Sequence, residues 1–361
     1  MSIVAVLGAG NGGLAVTADL SLRGHAVRLF NRSRHVLEAI ERRGGIRVQG
    51  SLGEHTVKPQ ETTTDIAEAI EGADTVVVVL PATAHLSVAA ELSHHLRPGV
   101  PLVLNPGHIC GSLSFRKVFM DHGADPPSIA ELGTLTYVCR THEEGSIDIF
   151  LRTTKVPVAF VPGDDAIAAS AAHDLFPDIR PVHPIEAWLH DVNMVLHPPG
   201  MILGAAWIEA TAGDFRFYSE GVTAGVSAVI ERLDDERLSV GRAYGFDLLD
   251  LGRAMARLGT ADLAAAERGD LKAAVAGGEA NRTIKAPSSL EHRYIDEDVA
   301  YGLVPFTELA RAAGVSTPTA DALIQLAGTI AGRDLRREGL NAARLGIGAL
   351  DAQGVKEVAA G

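Results

Sequence analysis

Gly8-Ala9-Gly10-Asn11-Gly12-Gly13 fits the G-x-G-x-x-G pattern; it follows an apolar run and opens a helical one. In that context the pattern cradles a dinucleotide pyrophosphate on the free amides of a helix start, where the dipole favours an anion. Gly8 would permit the tight turn, Gly10 would let the backbone approach the phosphates, and Gly13 would let helix and strand pack closely, with Asn11 and Gly12 completing the cofactor-binding turn. A glycine-rich turn without a ligand is the alternative. About 20 residues further on, an NAD site usually places an acid on the ribose hydroxyls. Here the stretch reads Phe30-Asn31-Arg32-Ser33-Arg34, with no carboxylate. Asn31, Arg32 and Ser33 could instead receive a 2′-phosphate, with the guanidinium paired to it or stacked on it, which favours NADP and leaves NAD open. Otherwise Arg32 and Arg34 are ordinary surface charges.

A second group surrounds His197, in the apolar helical stretch Asp191-Val192-Asn193-Met194-Val195-Leu196-His197-Pro198-Pro199, whose last turn the proline should disturb. Histidine titrates nearest neutral pH and is the commonest general acid/base, but a lone histidine on an apolar face is more often a core residue. His183, His190 and His197 recur every seven residues. Seven helical residues span ~10.5 Å, too far for two of them to share one ion, so no metal site is expected. The third group, Arg293-Tyr294-Ile295-Asp296-Glu297-Asp298-Val299, sets one guanidinium among three carboxylates. It is either a solvated charged loop or a site in which Asp298 pairs with a histidine and Arg293 forks a substrate carboxylate.

The elements that must hold these groups fall into two domains, at 1–184 and 185–361. In the first, apolar runs at Ile3–Leu7, Ala26–Phe30, 75–80 and Leu102–Leu104 alternate with helical patterns at 14–23, 35–43 and 84–96. Such runs suit strands of a parallel sheet buried on both faces, which makes this an α/β Rossmann-like dinucleotide-binding domain. Pro81, Ala82 and Asn105 follow two of the strands, at the carboxyl edge where ligands of open sheets lie, and are expected to bind the cofactor. Residues 145–162 alternate and predict hairpin strands added to that sheet. After Ile185 the patterns are helical, at 187–196, 201–212, 224–244, 307–313 and 317–331, so the second domain is expected to be mainly α-helical. Thr317-Pro318 reads as an N-cap followed by proline at the first helical position, and the Ala/Gly-rich stretch 264–278 reads as a mobile loop.

Composition excludes several classes. The chain has 361 residues, 47% hydrophobic and 21% charged, with a formal net charge of −13, so nucleic acid and anionic membrane are poor partners. The N-terminal apolar run is too short for a signal peptide or a span, which points to the cytoplasm. Cys110 and Cys139 are expected as reduced thiols.

Together these residues resemble the octopine/nopaline (opine) dehydrogenase family over nearly the full length. The matching stretches are the glycine fingerprint, Val79-Leu80-Pro81-Ala82, Leu104-Asn105-Pro106-Gly107, Glu131 with Cys139-Arg140, 193–198, Phe217-Tyr218-Ser219-Glu220-Gly221, and Asp298-Val299 followed by Gly302-Leu303-Val304-Pro305. The resemblance implies an NAD(P)H-dependent reductive condensation: a 2-keto acid such as pyruvate and the amine of an amino acid form an imine, which is reduced to an N-(carboxyalkyl) amino acid. It implies His197 and Asp298 as the catalytic dyad, with Arg293, Glu131 and Asn193 binding substrate, and it leaves a homodimer open. Where the family often shows Glu-Thr and small polar residues, this chain has Glu131-Leu132-Gly133-Thr134, which bears on the amino-substrate pocket.

Two rival readings remain. One is an NADP-dependent ketopantoate-reductase-like or glycerol-3-phosphate-dehydrogenase-like carbonyl reductase. Such enzymes rely on a lysine in the helical domain, and after residue 155 only Lys272, Lys285 and Lys356 occur. The other is a dinucleotide-binding sensor without turnover, which would have no reason to retain His197, Arg293 and Asp298 together.

Overall fold

The computed structural model describes residues 1–163, 165–279 and 281–361. Two compact units emerge, Met1–Ala187 with Ala359–Gly361, and Trp188–Val358. In the first unit the strands are β1 (Ile3–Leu7), β2 (Ala26–Phe30), β3 (Ile46–Gly50), β4 (His55–Val57), β5 (Glu61–Thr63) and β6 (Thr75–Val78). They continue as β7 (Leu102–Leu104), β8 (Ile129–Leu132), β9 (Tyr137–Arg140), β10 (Ser146–Arg152), β11 (Val156–Val161) and β12 (Ile179–Pro181). The main sheet runs β12-β11-β8-β7-β6-β1-β2-β5, parallel throughout except where β11 pairs antiparallel with β8. β1 shows why its residues read as a continuous apolar run. Val4 and Val6 enter one core with Leu14, Val16 and Leu20, while Ala5 and Leu7 enter the opposite core with Ile66, Val88 and Phe115. Both faces are therefore dry, as a doubly covered parallel sheet requires.

The predicted hairpin strands divide between two sheets. β11 joins the main sheet, but β10 lies in a second sheet of order β4-β3-β10-β9, with a register irregularity between Ile149 and Leu151. Alternation reports one buried face per strand and carries no information about which sheet the strand joins.

The second unit is helical, with an isolated antiparallel bridge between Arg216 and Lys285. Three expectations need correction. Helix Asn193–Leu203 runs through both Pro198 and Pro199 instead of ending near them; nearly all of this helix is buried, so tertiary packing overrides the local penalty of proline. The expected loop at 264–278 forms helices Leu263–Glu267 and Leu271–Gly277, capped by the Asp262 and Asp270 carboxylates. Thr317 makes no side-chain cap for helix Pro318–Ala331. The buried Glu236 carboxylate does so, accepting Thr319 N–H at 2.8 Å and Ala320 N–H at 3.1 Å. Among the described residues no helix is long and apolar enough to cross a membrane.

Candidate active site

In the first unit the fingerprint turn is built from backbone proximity. Gly8 has φ +117°, and a Cβ there would lie 2.3 Å from the Val79 carbonyl oxygen; a Cβ on Gly13 would lie 1.8 Å from the Gly8 carbonyl oxygen. No side chain fits at either position, so strand and helix meet only because both are glycine. Gly10 differs, since a Cβ there would meet nothing within 4 Å. The following helix, Asn11–Leu22, starts at Gly10 with no side-chain cap and no acid in its first turn. Uncapped amides beside open space, on a glycine that the fold itself does not need, fit a pyrophosphate. Asn11 Oδ1 accepts from Thr141 N–H at 3.0 Å.

At the end of β2, Asn31 braces the turn. Its Oδ1 accepts from Ala9 N–H at 3.1 Å and its Nδ2 donates to Ser33 O at 3.0 Å. Arg34 is 3.7 Å from both Glu38 and Glu41. Arg32 is exposed and forms no ion pair among the described residues, so it is the guanidinium available to a ligand. Beyond β7, Asn105 is wholly buried, its amide donating to Thr136 Oγ1 at 2.9 Å. Glu131, on β8, is likewise buried, and its carboxylate accepts from Ser112 N–H at 3.1 Å and from Ser112 Oγ. Asn105 and Glu131 thus turn inward and hold the loops at this edge, whereas Pro81 is exposed. His85, which also follows β6, is fully buried and its pKa is pushed down to about 3 by burial and by the neighbouring His108, so it stays neutral.

In the second unit, two π-helical turns, Phe217–Gly221 and Asp298–Leu303, carry Tyr218 and Asp298, a wider helical form found often at functional sites. The first is anchored where Phe217 N–H donates to Ile284 O at 2.9 Å. Glycines let these turns reach helix Asn193–Leu203: a Cβ on Gly200 would stand 2.7 Å from the Phe217 ring, and one on Gly302 would stand 2.8 Å from Met194 Cβ.

This packing brings together side chains far apart in sequence. His197 Nδ1 lies 2.7 Å from Asp298 Oδ2, and its Nε2 lies 2.9 Å from the Tyr218 hydroxyl. The His197 ring stacks on Tyr294 at 3.7 Å between centroids, and the Tyr218 and Tyr294 hydroxyls are 3.2 Å apart. His197 is 6% and Asp298 3% exposed. Because a carboxylate only accepts, Nδ1 carries a proton, leaving Nε2 to accept or donate according to the charge of the ring. Burial raises the Asp298 pKa; the contact with His197 pulls it back, and Glu297 and Asp191 push it up again. Arg293 begins the short helix Arg293–Asp296, with its guanidinium half-exposed and 2.8 Å from Glu297 Oε2. Burial works against the Arg293 charge, but Glu297, Asp298, Tyr294 and Asp191 offset it and its pKa stands above the ordinary value. Asn193 opens helix Asn193–Leu203 and is partly buried. Tyr218 and Tyr294 stand in stretches that sequence reasoning quoted without giving either a role. Nothing in their spacing showed that both would meet one imidazole.

The chain's relatives match this architecture. Residues 182–331 match the alpha-helical domain of NAD/NADP octopine/nopaline dehydrogenases, and residues 3–106 match the N-terminus of NAD-dependent glycerol-3-phosphate dehydrogenases. An opine dehydrogenase of Arthrobacter sp. (strain 1C) is 33% identical, covering 98% of this chain and 97% of its own. Octopine dehydrogenase solved with NADH and L-arginine superposes with a TM-score of 0.76 at 21% identity, over 98% of both chains. Yersinopine dehydrogenase with NADP+ bound gives 0.74 at 16%, over 100% of this chain and 98% of that one. The likeness to glycerol-3-phosphate dehydrogenases stops with the dinucleotide-binding part, whereas the opine dehydrogenase relative spans both units. The chain belongs to the octopine/nopaline (opine) dehydrogenase family and is an NAD(P)-dependent oxidoreductase acting on CH–NH bonds.

Proposed function

We propose that the protein condenses a 2-keto acid such as pyruvate with the amine of an amino acid and reduces the imine, with NADP(H) as the preferred cofactor. The observation that carries this reading is the buried His197–Asp298 pair, 2.7 Å apart, in the chain region matched by the octopine/nopaline helical domain. The balance of the reaction at the site is keto acid, neutral amine, NAD(P)H and one proton giving the secondary amine, NAD(P)+ and water. Bound cofactor supplies the hydride. The residues of this chain handle protons and charge.

As the imidazolium, His197 donates its Nε2 proton to the keto oxygen, which departs as water, and in the oxidative direction the neutral ring acts as the base. Asp298 holds the ring with Nδ1–H directed at its carboxylate and stabilises the imidazolium, as an acid does behind a general-base histidine. Arg293 keeps donors beyond its contact with Glu297, and its planar fork suits the keto-acid carboxylate. Asn193 is proposed as a further substrate contact from the start of the helix that carries His197. Glu131 is proposed to shape the amino-substrate pocket through the loop that it holds. The fingerprint glycines with Asn11, Pro81, Ala82 and Asn105 form the dinucleotide side. Arg32, with Asn31 and Ser33 setting the loop, is proposed to meet a 2′-phosphate.

The test is cofactor oxidation by the full chain with pyruvate alone, then with pyruvate plus a panel of amino acids, using NADPH and NADH in turn. Turnover should require both organic substrates and run faster with NADPH. Turnover with a keto acid alone would make the protein a simple carbonyl reductase, and preference for NADH would remove the phosphate role of Arg32. Sedimentation of the same preparation decides whether it assembles as a homodimer.

A further inference from the structure

Each turnover of the proposed reaction takes up one proton from solvent, while the group that hands it over, His197, is 6% exposed. One ring nitrogen is occupied by Asp298. The other, Nε2, meets the Tyr218 hydroxyl at 2.9 Å, and that hydroxyl meets the Tyr294 hydroxyl at 3.2 Å. Exposure rises along this line, from the buried His197 and Tyr218 to the partly exposed Tyr294. We propose that Tyr218 and Tyr294 form the path by which the His197 imidazole regains its proton from solvent, an inference that rests on the acid/base role of His197.

The step balances without any further reactant. After Nε2–H has gone to the departing oxygen, the neutral ring accepts the Tyr218 proton, Tyr218 takes the Tyr294 proton, and Tyr294 is refilled from water. A free phenolate is costly near neutral pH, since an ordinary phenol has a pKa of about 10, so the protons shift in concert. While a substrate oxygen holds Nε2 the path is broken; it re-forms when product leaves. The stacked ring of Tyr294, 3.7 Å from that of His197, keeps the imidazole in plane for both partners.

The charged and titratable neighbours are arranged around this line. Asp298 lies on Nδ1, with Asp191 and Glu297 acting on Asp298 and Arg293 acting beside them. His292 borders the outer end, its ring 4.6 Å from that of Tyr294, and its pKa is lowered by burial, Arg293 and His197. The Tyr218 hydroxyl, between a buried imidazole and a partly exposed phenol, is thus a neutral donor–acceptor group placed on the Nε2 side.

The experiment is steady-state turnover of Tyr218→Phe and Tyr294→Phe in the full chain, at fixed pH and ionic strength and rising imidazole concentration. For Tyr218→Phe, kcat should fall by about ten-fold or more with the keto-acid KM within about two-fold of wild type. Added imidazole, a small proton carrier, should restore part of the loss while leaving wild type unaffected. Tyr294→Phe, which keeps the Tyr218 contact, should show the same imidazole dependence with a smaller loss. Wild-type kcat in both variants, or a loss that imidazole does not change, overturns the path. If His197→Ala turns over normally, the dyad itself is wrong; if it is inactive while both phenylalanine variants are normal, only the path falls.

Discussion

The fingerprint of the first unit and the imidazole site of the second are assembled in opposite ways. At the fingerprint, six consecutive residues make the site, and what matters is missing volume: the Gly8 and Gly13 positions have no room for a methyl group. At His197, three partners come from 21, 97 and 101 residues away, and what matters is filled volume, with a ring clamped between an acid, a hydroxyl and a stacked phenol. A contiguous site tolerates no change within its own few residues, whereas an assembled site depends on the packing of π-helical turns against a helix. The two should therefore fail differently when altered.

The strongest separation comes from Asp298→Asn. It keeps the shape but favours the wrong tautomer of His197, and kcat should drop about 10³–10⁴-fold while NADPH affinity, measured by fluorescence titration, stays at the wild-type value. Loss of cofactor binding would erase the contrast. Next come two glycines. Gly13→Ala forces a carbon into backbone and should cost about 1–3 kcal/mol or more of stability, seen as a lower Tm together with weakened NADPH binding. Gly10→Ala meets open space in the protein and should keep its Tm yet bind NADPH less well; unchanged binding would show that the cofactor does not lie against Gly10.

A smaller effect is expected from Arg32→Asp, which removes a charge-assisted contact and should shift the NADPH/NADH ratio of kcat/KM by about 10–100-fold. An unchanged ratio would return Arg32 to the status of a surface charge. The smallest effect is a slope. Burial raises the Asp298 pKa above its unfolded value, so its contribution to stability is fully present below the unfolded pKa and is lost as pH rises through the folded one. Asn at 298 does not titrate. The Tm of Asp298→Asn relative to wild type should therefore rise with pH across that window, as followed by thermal melts. A flat difference would mean that the carboxyl is not desolvated.

The same contrast explains what could be read in advance. The fingerprint, the buried strands and the swing to helices are local patterns, with spacing and composition visible in a short window. His197 and Asp298 could be paired only through a resemblance, because no local rule links residues 101 apart. Other features escaped for related reasons. Thr317 is a sound local cap, but the buried Glu236, 83 residues upstream of Thr319, takes the amides. Pro198 and Pro199 read as a helix end, yet the helix continues where its flanks are wholly packed. Asn31 reads as a phosphate ligand, but no short window announces that its side chain also bonds Ala9 N–H and Ser33 O.

The central claim is that acid/base chemistry resides in His197 and is separable from cofactor capture. His197→Ala, measured for NADPH affinity and for turnover with keto acid and amine together, tests it most directly. The account predicts unchanged affinity and a loss of kcat of about 10²–10⁴-fold. Turnover near the wild-type rate, or loss of NADPH binding together with activity, would contradict it.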